Sequence, residues 1–374
     1  MIVADYKTLK PSYKLATNST TESLRNSDSL IYHSTLKNYS PTPLHHLPVL
    51  AKWLGVQSIF VKDESLRFGL KSFKGLGTSY ALHKFIMANP SIHTFCTATD
   101  GNHGRALAWS ARLAEKSAVI IVPKHITSAR IEAIKSEGAK VEIFDGNYDD
   151  ACLYAEKLSR QDGWQLVQDV AWEGYEEIPA QIMSGYLSIF KEMENSLHPF
   201  EKAGIDLVFL QAGVGSFASA AVWYYLNRYG IKKPKIVIVE PLEADGILES
   251  FKQKKLSTSK GKQQTIMAGL NCGLPSSIAW PILQSGANAC IRIEDDYTKQ
   301  AMRILADPMP DDPTIIAGES GAAGLAAFLA ILREKKFKSL LKHLDINEST
   351  KILFFNTEGD TDPESFHQII SSLE

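Results

Sequence analysis

The four cysteines in 374 residues, Cys96, Cys152, Cys272 and Cys290, stand far apart and show no C-x-x-C spacing. That scatter argues against a disulfide framework and reads as reduced thiols in a cytoplasmic protein. The ten histidines form neither an H-x-x-x-H pair nor a His/Cys cluster, so no metal site is expected, and His45–His46 reads as a loop pair. Long apolar runs are missing too. None reaches the roughly 18–20 residues of a membrane span, and the opening MIVADYKTLKPSYKLATNSTTESLRNS lacks the basic start and apolar stretch of a secretory signal. Excess charge is also scarce. Lysine and arginine number 40 against 42 acidic residues, a net charge of −2 that leaves no footprint for nucleic acid or a membrane surface. The basic stretch FKQKKLSTSKGKQQT, at 251–265, reads as a solvated surface loop.

What is present is an ordinary globular composition, 44% hydrophobic and 22% charged, in a chain long enough to predict two domains. The first forty residues are polar and irregular. After them strand-like and helical stretches alternate. SIFVKDES reads as a strand and SFKGLGTSYALHKFIMANP as a helix. IHTFCTAT, SAVIIVP, KVEIF and the short WQLVQD read as strands with helices between them, and a second cycle runs through IDLVFLQ and KIVIVEP to a final KILFFNT. Short continuous apolar strands between helices imply parallel sheets covered on both faces. Two such sets predict an α/β protein with two open, twisted, mostly parallel sheets flanked by helices, and a cleft between them.

Three loops at strand ends carry the candidate chemistry. GVGSFA, at 213–218, lets backbone N–H groups and a helix N-terminus converge on an anion. It also matches the dinucleotide fingerprint G-x-G-x-x-A, with Glu240 near the place of a ribose-binding acid, and a plain tight turn is the third reading. ATDGNHG, at 98–104, presents N–H groups and a polar ring to a small carboxylate, unless Asp100 or Asn102 merely caps the helix. In FGLKSFKGLGT, Lys74 follows an aromatic residue, opens a helix and is flanked by glycines. A lysine whose pKa is lowered by burial is a Schiff-base nucleophile, whereas a solvated lysine at a helix start needs no chemistry. All three loops fall at strand C-termini, where open α/β folds bind ligands.

In order, SFKGLG, DGNHG, GVGSF and FFNTEGD make the chain resemble the fold-type II pyridoxal-phosphate enzymes, the group of threonine dehydratase and tryptophan synthase β. KDESLRFGLKSFKGLG, TATDGNHGRALAW, VQDVAWEGYEEIPAQIMSGY, IMAGLNCG, AGESGAAGL and NTEGDTDP narrow the resemblance to the diaminopropionate ammonia-lyases. It runs from about Tyr39 to Pro363. Most dehydratases of the group have Ser where this chain has Asp100, and they lack QDVAWEGYEEIP.

The resemblance implies a set of roles. Lys74 links covalently to pyridoxal phosphate, Phe73 lies against the ring, and Asn102 bonds its hydroxyl. The loop Gly213, Val214, Gly215, Ser216 and Phe217 holds the phosphate, and Thr357 meets the ring nitrogen. Thr99, Asp100, Gly101 and His103 receive the substrate. Asp100 and Asp169 are the catalytic carboxylates. Lys74 is expected to serve the L enantiomer and Asp100 the D, unless Asp100 only caps the helix or contacts the β-ammonium. Taken alone, Asp169 reads as a sheet-edge carboxylate in a salt bridge. The implied domains are a larger cofactor-binding one, 1–78 with 190–374, and a smaller inserted one, 79–189, that carries the substrate-carboxylate loop. A homodimer acting on a small amino acid is implied, with no nucleic-acid or membrane partner. The reaction would take 2,3-diaminopropionate to 2-aminoacrylate and ammonia, and then to pyruvate and a second ammonia. Alternatives are β-elimination or β-replacement on serine, threonine or a β-substituted alanine, a dinucleotide-dependent oxidoreductase, and a non-catalytic cofactor-binding paralogue. One departure stands out: Lys71-Ser72 replaces an expected Asn-Ala ahead of Phe73, so Lys71 either perturbs Lys74 or faces solvent.

Overall fold

The computed structural model describes residues 3–99, 101–124, 126–146, 148–196 and 204–372. Eleven strands among these residues form two sheets. The larger has the order β1-β10-β9-β8-β11-β3-β2. Its strands are β1 (Val3–Asp5), β2 (Leu44–His46), β3 (Ser58–Asp63), β8 (Leu207–Gln211), β9 (Lys235–Pro241), β10 (Ala289–Ile293) and β11 (Lys351–Asn356). The five central strands run parallel, and β1 and β2 close the edges antiparallel. The smaller sheet, order β6-β5-β4-β7, is parallel throughout: β4 (Thr94–Ala98), β5 (Ser117–Pro123), β6 (Lys140–Phe144) and β7 (Gln165–Leu166).

The central strands are apolar along their whole length because both faces are covered, and alternate side chains feed two cores. Val208, Leu210, Ile236, Ile238, Leu353 and Phe355 enter one core, which includes Phe217 and Phe190. Leu207, Phe209, Val237, Val239, Ile352 and Phe354 enter the other, against the Ala323–Arg333 helix. The two-sided burial keeps the C-terminal strand ends in register, and the loops leaving those ends face the smaller sheet.

Several sequence expectations need correction. The first forty residues are not all irregular. Ser19–Arg25 and Ser29–Ser34 are helices, the first opened by a capping box between Asn18 and Thr21. They pack on the Glu177–Ser196 helix, where Ser27 Oγ donates to Ser184 O at 2.9 Å. His45–His46 lies in strand β2, not a loop, with His45 Nε2 3.4 Å from Asp63. ACIRI, unmarked as a strand in the sequence, is β10, and WQLVQD contributes only two strand residues. The basic stretch begins inside the Gly246–Gln253 helix before it becomes a loop. Lys71 has φ +57° and turns outward, its Nζ donating to Asp360 at 2.8 Å. None of the four cysteines forms a disulfide among the described residues.

Candidate active site

The loops after β3, β4, β7, β8 and β11 converge on one pocket. Phe73, Lys74, Thr99, Gly101, Asn102, His103, Asp169, Gly213, Val214, Gly215, Ser216, Phe217 and Thr357 all line it. Asp100 lies outside the described residues. Thirteen positions singled out from five separated stretches of sequence therefore face one space.

Lys74 opens the Lys74–Ala88 helix, and its Nζ donates to Asp169 Oδ2. Burial pulls the Lys74 pKa down, but the Asp169 carboxylate more than offsets it and holds the ammonium above its ordinary value. Burial acts in the expected direction, and the carboxylate outweighs it. Burial pushes Asp169 up, while Lys74 and His103 pull it back further, to about 2. The two form a charged pair. His103 is kept neutral, first by burial, and its Nε2 donates to Val167 O at 2.8 Å. Its Nδ1 has no hydrogen-bond partner and stands 3.9 Å from Asp169 Oδ2.

The 213–218 turn is shaped for an anion. Gly215 is the N-cap of the Ser216–Tyr229 helix at φ +91° and offers no side-chain cap, so the first-turn N–H groups have no acceptor within the helix. At Gly213 a Cβ would come 3.1 Å from both Gly269 O and Leu270 Cα, so a side chain there would crowd the cradle wall. Ser216 Oγ donates to Asp169 O at 2.6 Å, which ties the cradle to the residue facing Lys74.

At the far side Thr357 Oγ1 accepts from Gln211 Nε2 at 3.0 Å, and Thr357 O accepts the Phe73 N–H at 3.2 Å. Phe73 packs on Tyr186 and Phe217, with ring centroids 4.7 and 5.1 Å away. Asn102 does not cap its own helix. It is the first helical residue after Gly101, and its Nδ2 donates to Glu358 Oε2.

Sequence reasoning gave no role to Glu358, Gln211, Ser320, Cys272 or Arg130, all of which line the pocket. Glu358 and Ser320 sit inside NTEGD and AGESGAAGL, and Gln211 is a polar residue ending an apolar strand; those were the available signals. The rival dinucleotide reading fails on Glu240. Its carboxylate is fully buried and accepts the N–H groups of Ile247 and Leu248, both at 2.8 Å, so it is committed to a helix start. Burial pushes its pKa to about 8, which a ribose-binding carboxylate would not show. Among the described residues no helix is long and apolar enough to cross a membrane.

The sequence pattern of the pyridoxal-phosphate dependent enzyme family matches residues 35–340. Diaminopropionate ammonia-lyase of Salmonella typhimurium is 39% identical over 91% of this chain and 90% of that protein. The Escherichia coli protein of the same name is 38% identical over 91% and 89%. A crystal structure of the E. coli protein in complex with an aminoacrylate–PLP azomethine reaction intermediate matches at TM-score 0.89 and 36% identity, over 99% of this chain and 97% of that one.

Proposed function

The chain belongs to the pyridoxal-phosphate dependent enzymes, within the diaminopropionate ammonia-lyases, and from that membership we propose how its site works. The chain is a carbon–nitrogen lyase that uses pyridoxal 5'-phosphate. It eliminates ammonia across the α and β carbons of 2,3-diaminopropionate, and the 2-aminoacrylate released takes up water to give pyruvate and a second ammonia. Lys74 paired with Asp169 beside the 213–217 cradle is the observation that carries the reading.

The donors present suit the cofactor. Lys74 is the one lysine among the described lining residues, and the glycine cradle leaves N–H groups for a phosphate. Lys74 would hold the cofactor, 213–217 its phosphate, Asn102 its hydroxyl and Thr357 its ring nitrogen, with Phe73 beside the ring. When bound, the cofactor supplies an electron sink for the α-carbon. Because Gln211 donates to Thr357 Oγ1, the hydroxyl proton would be free for the ring nitrogen. A neutral partner of this kind moderates electron withdrawal and suits elimination over prolonged carbanion chemistry.

The remaining roles belong to the substrate. The turn of Thr99, Asp100, Gly101 and His103 receives the substrate. Lys74 takes the α-proton of the L enantiomer, and Asp100 that of the D. Asp169 stands where it can hold the β-ammonium of the substrate as it now holds the ammonium of Lys74. The body 79–189 is the part that carries the carboxylate turn. A homodimer and a cytoplasmic location complete the proposal.

The test is product release by the purified yellow protein. Each enantiomer of diaminopropionate should yield two ammonia per pyruvate, and borohydride should fix the cofactor at Lys74. Pyruvate from serine with none from diaminopropionate would make the chain a dehydratase instead.

A further inference from the structure

The loop leaving β11 carries acids at alternate positions, and each reaches a different element. Glu358 accepts from Asn102 Nδ2 and, at 2.9 Å, from the Ser320 N–H. Asp360 accepts from Lys71, ahead of Lys74. Asp362 Oδ2 accepts from Thr127 Oγ1 at 2.9 Å and lies 4.0 Å from Arg130 Nε. Thr127 and Arg130 stand at the start of the Ser128–Lys135 helix beside the smaller sheet. Asp362 itself stays with the larger sheet, because its Oδ1 caps the Pro363–Ser371 helix by accepting the Ser365 N–H at 3.3 Å.

What Arg130 touches gives this contact its meaning. Gly101 has φ +144°, and the three atoms nearest to a Cβ placed there all belong to Arg130, the closest at 3.1 Å. The arginine stem thus packs against the Gly101 turn, and both residues line the pocket. On the same turn Thr99 Oγ1 accepts the N–H groups of Gly101 at 3.0 Å and Gly104 at 3.2 Å. The turn is clamped between a threonine hydroxyl and an arginine stem, and the arginine head is steered by an acid of the other sheet.

We infer that Arg130, held by Asp362, is a positioning residue that fixes the turn 101–104 in the shape that receives the substrate carboxylate. The inference rests on the role given to that turn under the proposed function. It also accounts for a glycine at 101. A side chain there would meet the arginine stem at a backbone angle that only glycine adopts freely.

Three variants separate the parts of the clamp. Arg130→Ala removes stem and charge, and Arg130→Met keeps an apolar stem. Asp362→Asn keeps the helix cap and an acceptor for Thr127 while losing the ion pair. Each is measured as holoenzyme by amide hydrogen exchange without substrate, and by kinetics on 2,3-diaminopropionate. In Arg130→Ala, exchange at 101–104 should speed up by about tenfold or more while 213–218 stays protected. KM should rise about 10–100-fold with kcat within about threefold, the signature of lost binding geometry. Arg130→Met and Asp362→Asn should fall between, and their double variant should be non-additive. If Arg130→Ala fails to fold, the other two carry the same readouts. Unchanged exchange at 101–104 overturns the inference. So does exchange that speeds up equally at both loops with kcat falling, since Arg130 would then be structural only. A wild type that releases no ammonia from diaminopropionate overturns the proposed function, and the exchange measurement still decides on Arg130.

Discussion

Two lysines stand on either side of the short Glu64–Gly69 helix, both paired with carboxylates, and they behave in opposite ways. Lys62, fully buried, donates to Glu192 at 2.7 Å and to Thr42 O at 2.8 Å. Arg67 joins the same group, reaching Glu192 Oε1 at 2.7 Å and Glu64 Oε2 at 2.8 Å. Two cations and two carboxylates close on one another away from the pocket. Lys74 has a single carboxylate, Asp169, and the pair faces the pocket. A buried charge whose partners are all fixed can only hold structure, because breaking it strands the others. A buried charge with one partner and an open side can exchange that partner for a ligand. Lys74 is also the less buried of the two, open to the pocket where Lys62 is closed off, and the saturation of Lys62 is what fixes it.

Replacing Lys74 is the hardest blow to the comparison. Lys74→Ala should lower turnover by about 10⁴, the top of the range for a positioned base, and abolish the borohydride-fixed label. Thermal unfolding should change little, since Asp169 can take up a proton once the ammonium is gone. A variant that keeps turnover would remove Lys74 from the chemistry.

Lys62→Met should give the reverse pattern. Removing one partner of a closed buried group costs about 3–5 kcal/mol, read as an earlier midpoint in urea unfolding. The folded fraction should keep wild-type kcat and cofactor absorbance. Lost turnover at unchanged stability would mean that the closed group also serves the site.

The same contrast explains what was legible beforehand. The central strands announced themselves because two-sided burial demands unbroken apolar runs, as in LVFLQ and ILFFN. The edges β1 and β2 did not. Each has three residues and is held by a neighbour rather than by a pattern of its own. At the site, glycines and the lysine after Phe73 were readable because their backbone geometry constrains residue type locally. The Lys74–Asp169 pairing was not, because an isolated Asp169 looks like any strand-end carboxylate, and only the fold sets it against Lys74. Arg130 left no trace at all. SARIEAIK reads as an ordinary surface helix until the Gly101 turn is laid against it.

A third, smaller effect separates the regions by pH. His33 lies beside the closed ion group, its Nδ1 2.7 Å from Ser188 Oγ and its Nε2 3.0 Å from Leu76 O. Burial first, then Arg67, lowers its pKa from 6.5 to about 3. As pH falls below 6.5 the unfolded chain takes up a proton that the folded chain refuses, so stability falls with pH until about 3. At pH 5 the loss from this one residue is about 2 kcal/mol. His103, lowered chiefly by burial, acts in the same direction. Asp169 acts only lower down. Its contribution is complete above its ordinary 3.8 and is lost as pH falls toward about 2. His33→Gln should therefore flatten the decline between pH 6.5 and 5 without touching the pH dependence of turnover. An equally steep decline in that variant would assign the slope elsewhere.

The smallest expected effect is at Thr357, and it sharpens the idea that saturation marks structure. Thr357 is buried and accepts from Gln211 Nε2, yet that same nitrogen also reaches Phe355 O at 2.7 Å and Ser320 O at 3.1 Å. Removing the hydroxyl leaves Gln211 satisfied by its other acceptors, so Thr357→Ala strands no donor in the core. On the proposed function, what should be lost is one neutral hydrogen bond from Oγ1 to the cofactor ring, about 0.5–1.5 kcal/mol. Cofactor affinity, followed by titrating the visible band back into the dialysed protein, should weaken about 2–12-fold. Folding stability without the cofactor should stay close to wild type. If affinity and turnover are both unchanged, Thr357 is one more saturated residue of the wall. If stability falls as far as in Lys62→Met, the hydroxyl belongs to the closed kind of polar group, and the ring nitrogen is met by another side chain.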